Sequence, residues 1–181
     1  KMAAKTYTLF LVLILLPLIA ICQERKLSIS DPTLIDESYN LYFAGDVFLA
    51  GQPMQTNLDS LIEAGVTLVV NLRTGDEMEH LSFNEAKYLK SKKIKYIHIP
   101  MGGDDGYKAE TIDKIGKSIN KTDGKVLIHC RSAGRATYAW MAWLIRYQDY
   151  SIDEAVRMGS KARFSVPFFN LLGYPITIEK K

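Results

Sequence analysis

The chain has 181 residues, of which 48% are hydrophobic and 24% are charged, and its formal net charge is +3. This composition suits one globular domain with a full hydrophobic core and leaves little room for a second domain. Removing residues 1–22 would delete two lysines and no acid, which lowers the net charge to +1. A nearly neutral chain argues against a polyanionic partner, so we expect no nucleic acid partner.

Residues 1–22 have the pattern of a secretory signal peptide, because two lysines precede an uncharged run rich in Leu and Ile that ends at Cys22. A membrane anchor is the alternative, but the run falls short of the roughly 20 apolar residues that a spanning helix needs. Lipid attachment at Cys22 is disfavoured because Ile21 stands where a small residue is usual. We expect a mature chain from Gln23 that is secreted or periplasmic and has no membrane partner.

Residues 23–40 are polar and mixed, and they predict an exposed lead-in with little regular structure. The folded domain is therefore predicted to span residues 41–181. Its first element, residues 41–50, is rich in β-forming side chains, and Gly45 and Asp46 predict the turn of a short hairpin.

Helices and strands alternate after the hairpin. Apolar runs predict strands at Val66–Leu72, Ile94–Ile99 and Val126–Ile128. Helices are predicted from Thr56, Ser82, Lys108, Ala136, Ser151 and Ser165, and the first, second and fifth carry a Ser/Thr-x-x-Asp/Glu capping pattern. This order predicts an α/β fold with a mainly parallel central sheet flanked by helices on both faces. Ligands bind beyond the carboxyl ends of such strands, so Arg73, the Asp104-Asp105 loop and Cys130 are predicted to share one rim.

The stretch His129-Cys130-Arg131-Ser132-Ala133-Gly134-Arg135 carries the chemistry. Cys130 follows a strand and precedes a helix start, where unpaired amides and a nearby arginine stabilise a thiolate. The amides of residues 131–134 can surround a tetrahedral anion while Arg135 adds a bidentate fork, which predicts nucleophilic chemistry on a phosphate. An inert buried thiol is the alternative reading of a lone cysteine. Arg131 either adds charge at the pocket mouth or only solvates the loop.

A phosphate ester needs a proton donor for its leaving oxygen, and Asp104 and Asp105 are the candidates. Their Gly-Asp-Asp-Gly setting is also typical of a solvated turn, and Asp105 is slightly favoured because it lies further into the loop. Arg73 and Asn71 either contact substrate or pair at the strand end. His129 is interpreted as structural, since it should point away from the pocket. Three separated histidines and one thiol show no metal-ligand spacing, so we predict no metal and no cofactor.

The loop from His129 to Arg135 resembles the signature loop of cysteine-dependent protein tyrosine and dual-specificity phosphatases. Residues 51–53, 69–73 and 98–100 extend the resemblance, from about residue 43 to 159, to a bacterial branch similar to the phosphatase-like domain of beta-lactamase hydrolase-like proteins. The resemblance implies a dual-specificity-phosphatase-like fold, Cys130 as nucleophile through a phosphocysteine intermediate, Arg135 as phosphate binder and an aspartate of residues 104–105 as general acid. It also implies a phosphorylated protein or a small-molecule phosphomonoester as substrate.

One feature departs from that family. Four residues separate Cys130 from Arg135, whereas typical tyrosine phosphatases have five. A four-residue gap is similar to rhodanese sulfurtransferases, which carry a persulfide on the cysteine and need no acid. A non-catalytic phosphate- or phosphopeptide-binding module is the third reading. The histidine before Cys130 and the aspartate loop favour a phosphatase.

In the hydrolysis step of a phosphatase, a hydroxyl helps the thiolate to leave. The candidates for this hydroxyl are Ser132 and Thr137.

Overall fold

The computed structural model describes residues 26–164, except for the side chains of Asp104 and Asp105. The predicted signal peptide and the helix predicted from Ser165 lie outside these residues. The strands are Thr33–Asp36 (β1), Leu41–Ala44 (β2), Val47–Ala50 (β3), Val66–Asn71 (β4), Lys95–His98 (β5) and Lys125–His129 (β6). The helices are Gln55–Glu63 (α1), Gly75–Glu79 (α2), Glu85–Ser91 (α3), Gly103–Gly106 (α4), Ala109–Ile119 (α5), Gly134–Tyr147 (α6) and Ile152–Gly159 (α7).

The strands form one sheet in the order β1-β2-β3-β6-β4-β5. The pairs β3–β6, β6–β4 and β4–β5 are parallel, whereas β1, β2 and β3 form an antiparallel meander. The predicted fold class and the hairpin at residues 41–50 are therefore confirmed. Strand β6 lies between β3 and β4, so the residue that follows β6 lies at the middle of the carboxyl edge of the parallel strands.

Helices cover both faces of the sheet, because successive side chains along β6 point to opposite faces and both sets are apolar. Val126 and Ile128 belong to the hydrophobic cluster on the side of α5, α6 and α7, whereas Leu127 belongs to the cluster with residues of α1 and α3. The two tryptophans of α6, Trp140 and Trp143, are fully buried. Helix α6 is thus embedded in the larger cluster, which fixes the start of this helix against the sheet.

The lead-in is more ordered than predicted. Strand β1 pairs antiparallel with β2, Leu27 is buried, and the Ser28 amide donates to Asp46 Oδ2 at 2.9 Å. The prediction of little regular structure is wrong here because a four-residue edge strand depends on its partner strand, which a local pattern does not reveal.

Two predicted helix starts are displaced. Helix α1 begins after Met54, whose amide donates to Asn57 Oδ1 at 2.9 Å, rather than at Thr56. Helix α3 begins after Asn84, whose Oδ1 accepts from the Lys87 amide, so Glu85 is not the capping acid that its spacing from Ser82 suggested.

Two further helices show what a capping pattern does and does not reveal. The predicted box of Ser151 and Glu154 at the start of α7 is confirmed. Helix α2 was not predicted, and it is capped in the same way by Thr74 and Glu77. Five residues are too few for a helical periodicity to be seen. In the described part of the chain, no helix has the length and apolarity needed to cross a membrane.

Candidate active site

Cys130 follows β6 directly and is held by the neighbouring strand ends. Its amide donates to the Ala50 carbonyl at 3.2 Å, the Gln52 amide donates to the Arg131 carbonyl at 3.3 Å, and the Leu72 amide donates to the His129 carbonyl at 2.9 Å. Cys130 is 1% exposed and is a free thiol. The backbone on both sides of the thiol is therefore fixed by the segments that follow β3 and β4.

The loop after Cys130 turns sharply into α6. Ser132 forms an isolated bridge with Gly51, and Ala133 is in the left-handed region with φ of 70°. Helix α6 begins at the next residue, Gly134, and is 14 residues long. Because the first amides of a helix have no partner within the helix, this turn brings a set of donors to the loop beside Cys130.

Arg135 lies in the first turn of α6 and reaches back over the strand ends. Its Nη1 donates to the carbonyls of Leu72 at 3.1 Å and Met101 at 2.8 Å, and its Nη2 donates to Glu77 Oε1 at 2.7 Å. Burial opposes the charge of the guanidinium, but its interactions with Glu77 and with the nearby Cys130 outweigh burial and raise the pKa of Arg135. The fold therefore brings Arg135 and Cys130 together across the four-residue gap.

Glu77 was not predicted from the sequence. Its carboxylate accepts hydrogen bonds from Arg135 and, through Oε2, from the Thr74 amide at 2.9 Å. Burial alone would raise the pKa of Glu77, but the bonds from Arg135 and Thr74 outweigh it and lower the pKa to about 2. The Thr74-x-x-Glu77 pattern could have located the helix, whereas the pairing with Arg135 depends on the fold.

Asp104 and Asp105 lie on α4, a single helical turn rather than the open loop expected from the sequence. Met101, two residues before α4, is fully buried and provides a carbonyl to Arg135. The backbone thus places α4 directly after a segment that contacts the phosphate-binding candidate. The choice between the two aspartates stays a prediction.

Arg73 and Asn71 follow β4 as predicted, and both are buried. Arg73 donates through Nη1 to Gln52 Oε1 at 2.8 Å and through Nη2 to the Glu77 carbonyl at 2.6 Å. Asn71 donates to Glu85 Oε2 at 2.7 Å and accepts from the Arg73 amide at 2.8 Å. Of the two interpretations from the sequence, this geometry favours pairing at the strand end; substrate contact by Arg73 stays a prediction.

His129 lies on the opposite face of β6 from Cys130, because successive strand residues alternate. Its Nε2 is 3.1 Å from Glu85 Oε1, and both side chains are fully buried. Burial would raise the pKa of Glu85, but the adjacent His129 and hydrogen bonds from Asn71 and Gln52 lower it. The sequence did not identify Glu85 as part of the site, because its spacing from Ser82 suggested a helix cap.

The remaining predicted loop residues divide by exposure. Arg131 and Ser132 are exposed, whereas Ala133 is buried. The Thr137 hydroxyl is buried and donates to the Ala133 carbonyl at 3.0 Å. Ser132 and Gly134 border a cleft of about 590 Å³ that Tyr42, Ala162, Arg163 and Phe164 complete. Of the two candidate hydroxyls, Ser132 is the one that faces open space.

The donors that can hold a ligand here suit an anion. The guanidinium of Arg135 and the first amides of α6 belong to the turn that follows Cys130. Within residues 26–164, no group of three or more His, Cys, Asp or Glu side chains is arranged to hold a metal ion.

Comparison with known protein families matches residues 47–153 to the model described as Swiss Army Knife protein, DSP-PTPase phosphatase domain. Curated relatives include the beta-lactamase hydrolase-like protein from two strains of Xylella fastidiosa, each 28% identical over 90 residues. The matched segment is 49% of this chain and 21% of each relative, so the chain spans about a fifth of the length of these relatives.

Solved structures share the fold. Tk-PTP in its active form is 23% identical with a TM-score of 0.59, and the match covers 68% of this chain and 84% of that chain. TpbA of P. aeruginosa is 17% identical with a TM-score of 0.57, covering 71% and 76%. Kinase-associated phosphatase is 19% identical with a TM-score of 0.54, covering 64% and 77%. The predicted resemblance to dual-specificity phosphatases is therefore confirmed at the level of the fold.

Proposed function

Because the chain belongs to the DSP-PTPase phosphatase domain family, we propose that it is a cysteine-dependent phosphatase that hydrolyses phosphomonoesters. The observation that carries this proposal is the position of Arg135, which lies in the first turn of α6 five residues after Cys130 and is fixed there by the Leu72 carbonyl and Glu77. A nucleophile and a bidentate anion binder meet there beside unpaired helix amides, which is the arrangement that a phosphoryl group needs.

In the first step, the Cys130 thiolate attacks phosphorus and an S–P bond forms while the ester P–O bond breaks. Asp105, or alternatively Asp104, gives a proton to the leaving oxygen. In the second step, the same carboxylate takes a proton from water, which attacks phosphorus and displaces the thiolate. The products are an alcohol or phenol and inorganic phosphate, and Cys130 returns to its starting state.

The charge that develops on the phosphoryl oxygens is matched by groups that are already in place. Arg135 is held by the carbonyls of Leu72 and Met101 and by Glu77. Donors that are fixed before reaction need no reorganisation when charge develops, which lowers the barrier. Arg131, which is exposed, adds positive charge at the mouth of the site.

We propose an aryl phosphate as the substrate class, either phosphotyrosine in a protein or a small phosphomonoester. TpbA has been solved in complex with pTyr, which makes phosphotyrosine the first ligand to test on this chain. The cleft beside Ser132 offers room for the leaving group. No nucleic acid partner is proposed, and the mature protein is proposed to act outside the cytoplasm once residues 1–22 are removed.

A rhodanese-like sulfurtransferase is the second candidate, and the four-residue gap between Cys130 and Arg135 favours it. Cys130 would then take a sulfur atom from thiosulfate, releasing sulfite, and pass it to cyanide as thiocyanate. That reaction needs no general acid. Activity with thiosulfate and cyanide in the absence of phosphatase activity would establish it.

The test is hydrolysis of p-nitrophenyl phosphate by the mature chain and by Cys130→Ser. We expect phosphate release from the wild type alone, and acid quenching followed by mass spectrometry should detect phosphate attached to Cys130. Equal activity in both proteins would refute a cysteine nucleophile. Tight phosphate binding without turnover would identify a binding module.

A further inference from the structure

We propose that Glu85 is a positioning residue whose buried carboxylate, in contact with Gln52, Asn71 and His129, aligns the three strand ends that hold Cys130. This inference rests on the proposed phosphatase function, because alignment of a nucleophile is measured most directly as turnover. Glu85 contacts His129, the residue before Cys130, and the ends of two other strands, so it acts on Cys130 through these partners.

The first argument is the cost of placing a carboxylate at this position. Glu85 is 1% exposed. Its Oε1 accepts from Gln52 Nε2 at 3.4 Å and lies 3.1 Å from His129 Nε2, while Oε2 accepts from Asn71 Nδ2 at 2.7 Å. A buried carboxylate with polar partners seldom stabilises a fold more than well-packed apolar side chains would. Both carboxylate oxygens are paired, so the arrangement specifies geometry more than it adds stability.

The second argument is the origin of the three partners. Gln52 follows β3, Asn71 ends β4 and His129 ends β6. These are the same segments that form the main-chain bonds around Cys130, including those from the Gln52 amide and to the His129 carbonyl. Glu85 comes from α3, outside all three strands. A single carboxylate thus cross-links the segments whose relative positions determine where the thiol lies.

The third argument is that the cross-link continues towards the arginine. Gln52 Oε1 accepts from Arg73 Nη1 at 2.8 Å, and Arg73 Nη2 donates to the Glu77 carbonyl at 2.6 Å. On the other side of the cluster, the Tyr96 hydroxyl accepts from Asn71 Nδ2 at 3.0 Å. Arg135 keeps its own carbonyl and carboxylate partners, so loss of Glu85 should affect the nucleophile more than the phosphate binder.

The decisive variant is Glu85→Gln, which keeps the shape of the side chain and removes its charge. A misplacement of about 1 Å at a reacting atom can cost roughly 100-fold in rate, so we expect kcat for p-nitrophenyl phosphate to fall roughly 10- to 100-fold. The inhibition constant of inorganic phosphate should change little, because Arg135 remains in place. A purely structural defect would weaken phosphate binding as well.

Asp113→Asn is the matched control. Asp113 lies on α5, pairs with Arg146 at 2.7 Å and accepts from the Tyr147 hydroxyl at 2.6 Å. Both of these partners lie about three turns along α6 from Arg135. This variant loses a paired carboxylate and some stability, and it should keep wild-type kcat. If Glu85→Gln does not fold, Tyr96→Phe tests the same cluster by removing one hydroxyl, and an unchanged kcat in that folded variant would overturn the inference.

Alkylation of Cys130 by iodoacetamide gives a second measurement that needs no turnover. We expect a different alkylation rate in Glu85→Gln and an unchanged rate in Asp113→Asn. A wild type without phosphatase activity would refute the proposed function, and alkylation would still test Glu85. Wild-type kcat together with wild-type alkylation in Glu85→Gln would overturn the positioning role.

Discussion

Glu77 Oε1 accepts a hydrogen bond from Arg135 Nη2 at 2.7 Å, which joins two residues that are 58 positions apart in the chain. The bond connects the short helix α2 to the first turn of α6. Both side chains are only partly exposed, 22% for Glu77 and 15% for Arg135. The orientation of the guanidinium is therefore set by a carboxylate as well as by main-chain carbonyls.

Glu77→Gln should lower kcat/KM for p-nitrophenyl phosphate and weaken inhibition by inorganic phosphate, each by about tenfold, which is the loss expected for one charge-assisted hydrogen bond. The charge of Glu77 also repels phosphate, but its pairing with Arg135 offsets that repulsion. Steady-state kinetics and phosphate inhibition measure both effects. Glu79→Gln, an exposed position on the same helix, is the control, and equal losses in the two variants would contradict this role.

Glu77 should also make the fold sensitive to acid. Its pKa is about 2 in the folded protein against an ordinary value of 4.5. A lowered pKa stabilises the fold fully above pH 4.5, and this stabilisation is lost as the pH falls towards 2. We expect a loss on the order of 1 to 2 kcal/mol, because water reaches the pair and screens it. Urea unfolding across this pH range should show a shallower decline for Glu77→Gln than for Glu79→Gln; identical slopes would refute the assignment.

Asn substitutions should distinguish Asp104 from Asp105. The variant that removes the general acid should lose roughly 100-fold or more in kcat, and the other should stay near wild type. The loss should be larger for an alkyl phosphate than for p-nitrophenyl phosphate, because a poor leaving group depends more on protonation. Two variants with wild-type activity on both substrates would remove residues 104–105 as the source of the acid.

Gly51→Ala should disturb the loop around Cys130. A Cβ at this position would lie 2.6 Å from the Tyr39 carbonyl oxygen and 3.2 Å from that of Arg131. Because displacing backbone atoms costs free energy, we expect the variant to be destabilised by about 1 to 3 kcal/mol and to have a lower kcat. Gly75→Ala, where a Cβ meets nothing within 4 Å, should be neutral or stabilising by up to about 1 kcal/mol. Thermal unfolding compares the two, and equal melting temperatures would contradict the crowding at Gly51.

The features that could be predicted from the sequence are those that depend on short stretches of the chain. The parallel strands appear as apolar runs, and Cys130 and Arg135 lie five positions apart within one strand-loop-helix unit. The turn at Ala133 is enough to bring the segment of Arg135 close to that of Cys130. The sheet then places the segment before α4 against Arg135. This agrees with the prediction that the residues after the parallel strands lie along one edge of the sheet.

The features that could not be predicted depend on contacts between distant segments. Glu77 and Glu85 each lie near a helix start, where an acid is ordinarily a surface cap or a dipole partner. Their partners Arg135 and His129 come from α6 and β6, respectively, which no local pattern connects to α2 or α3. Only the folded sheet brings the two members of each pair together.

The bond from Arg135 to the Met101 carbonyl joins the proposed phosphate binder to the segment that leads into α4. We therefore expect two events to be thermodynamically linked: the binding of an anion by the guanidinium, and the placement of residues 103–106. Such linkage is reciprocal. If a bound anion shifts the equilibrium towards one placement of α4 by a given factor, that placement raises the affinity for the anion by the same factor.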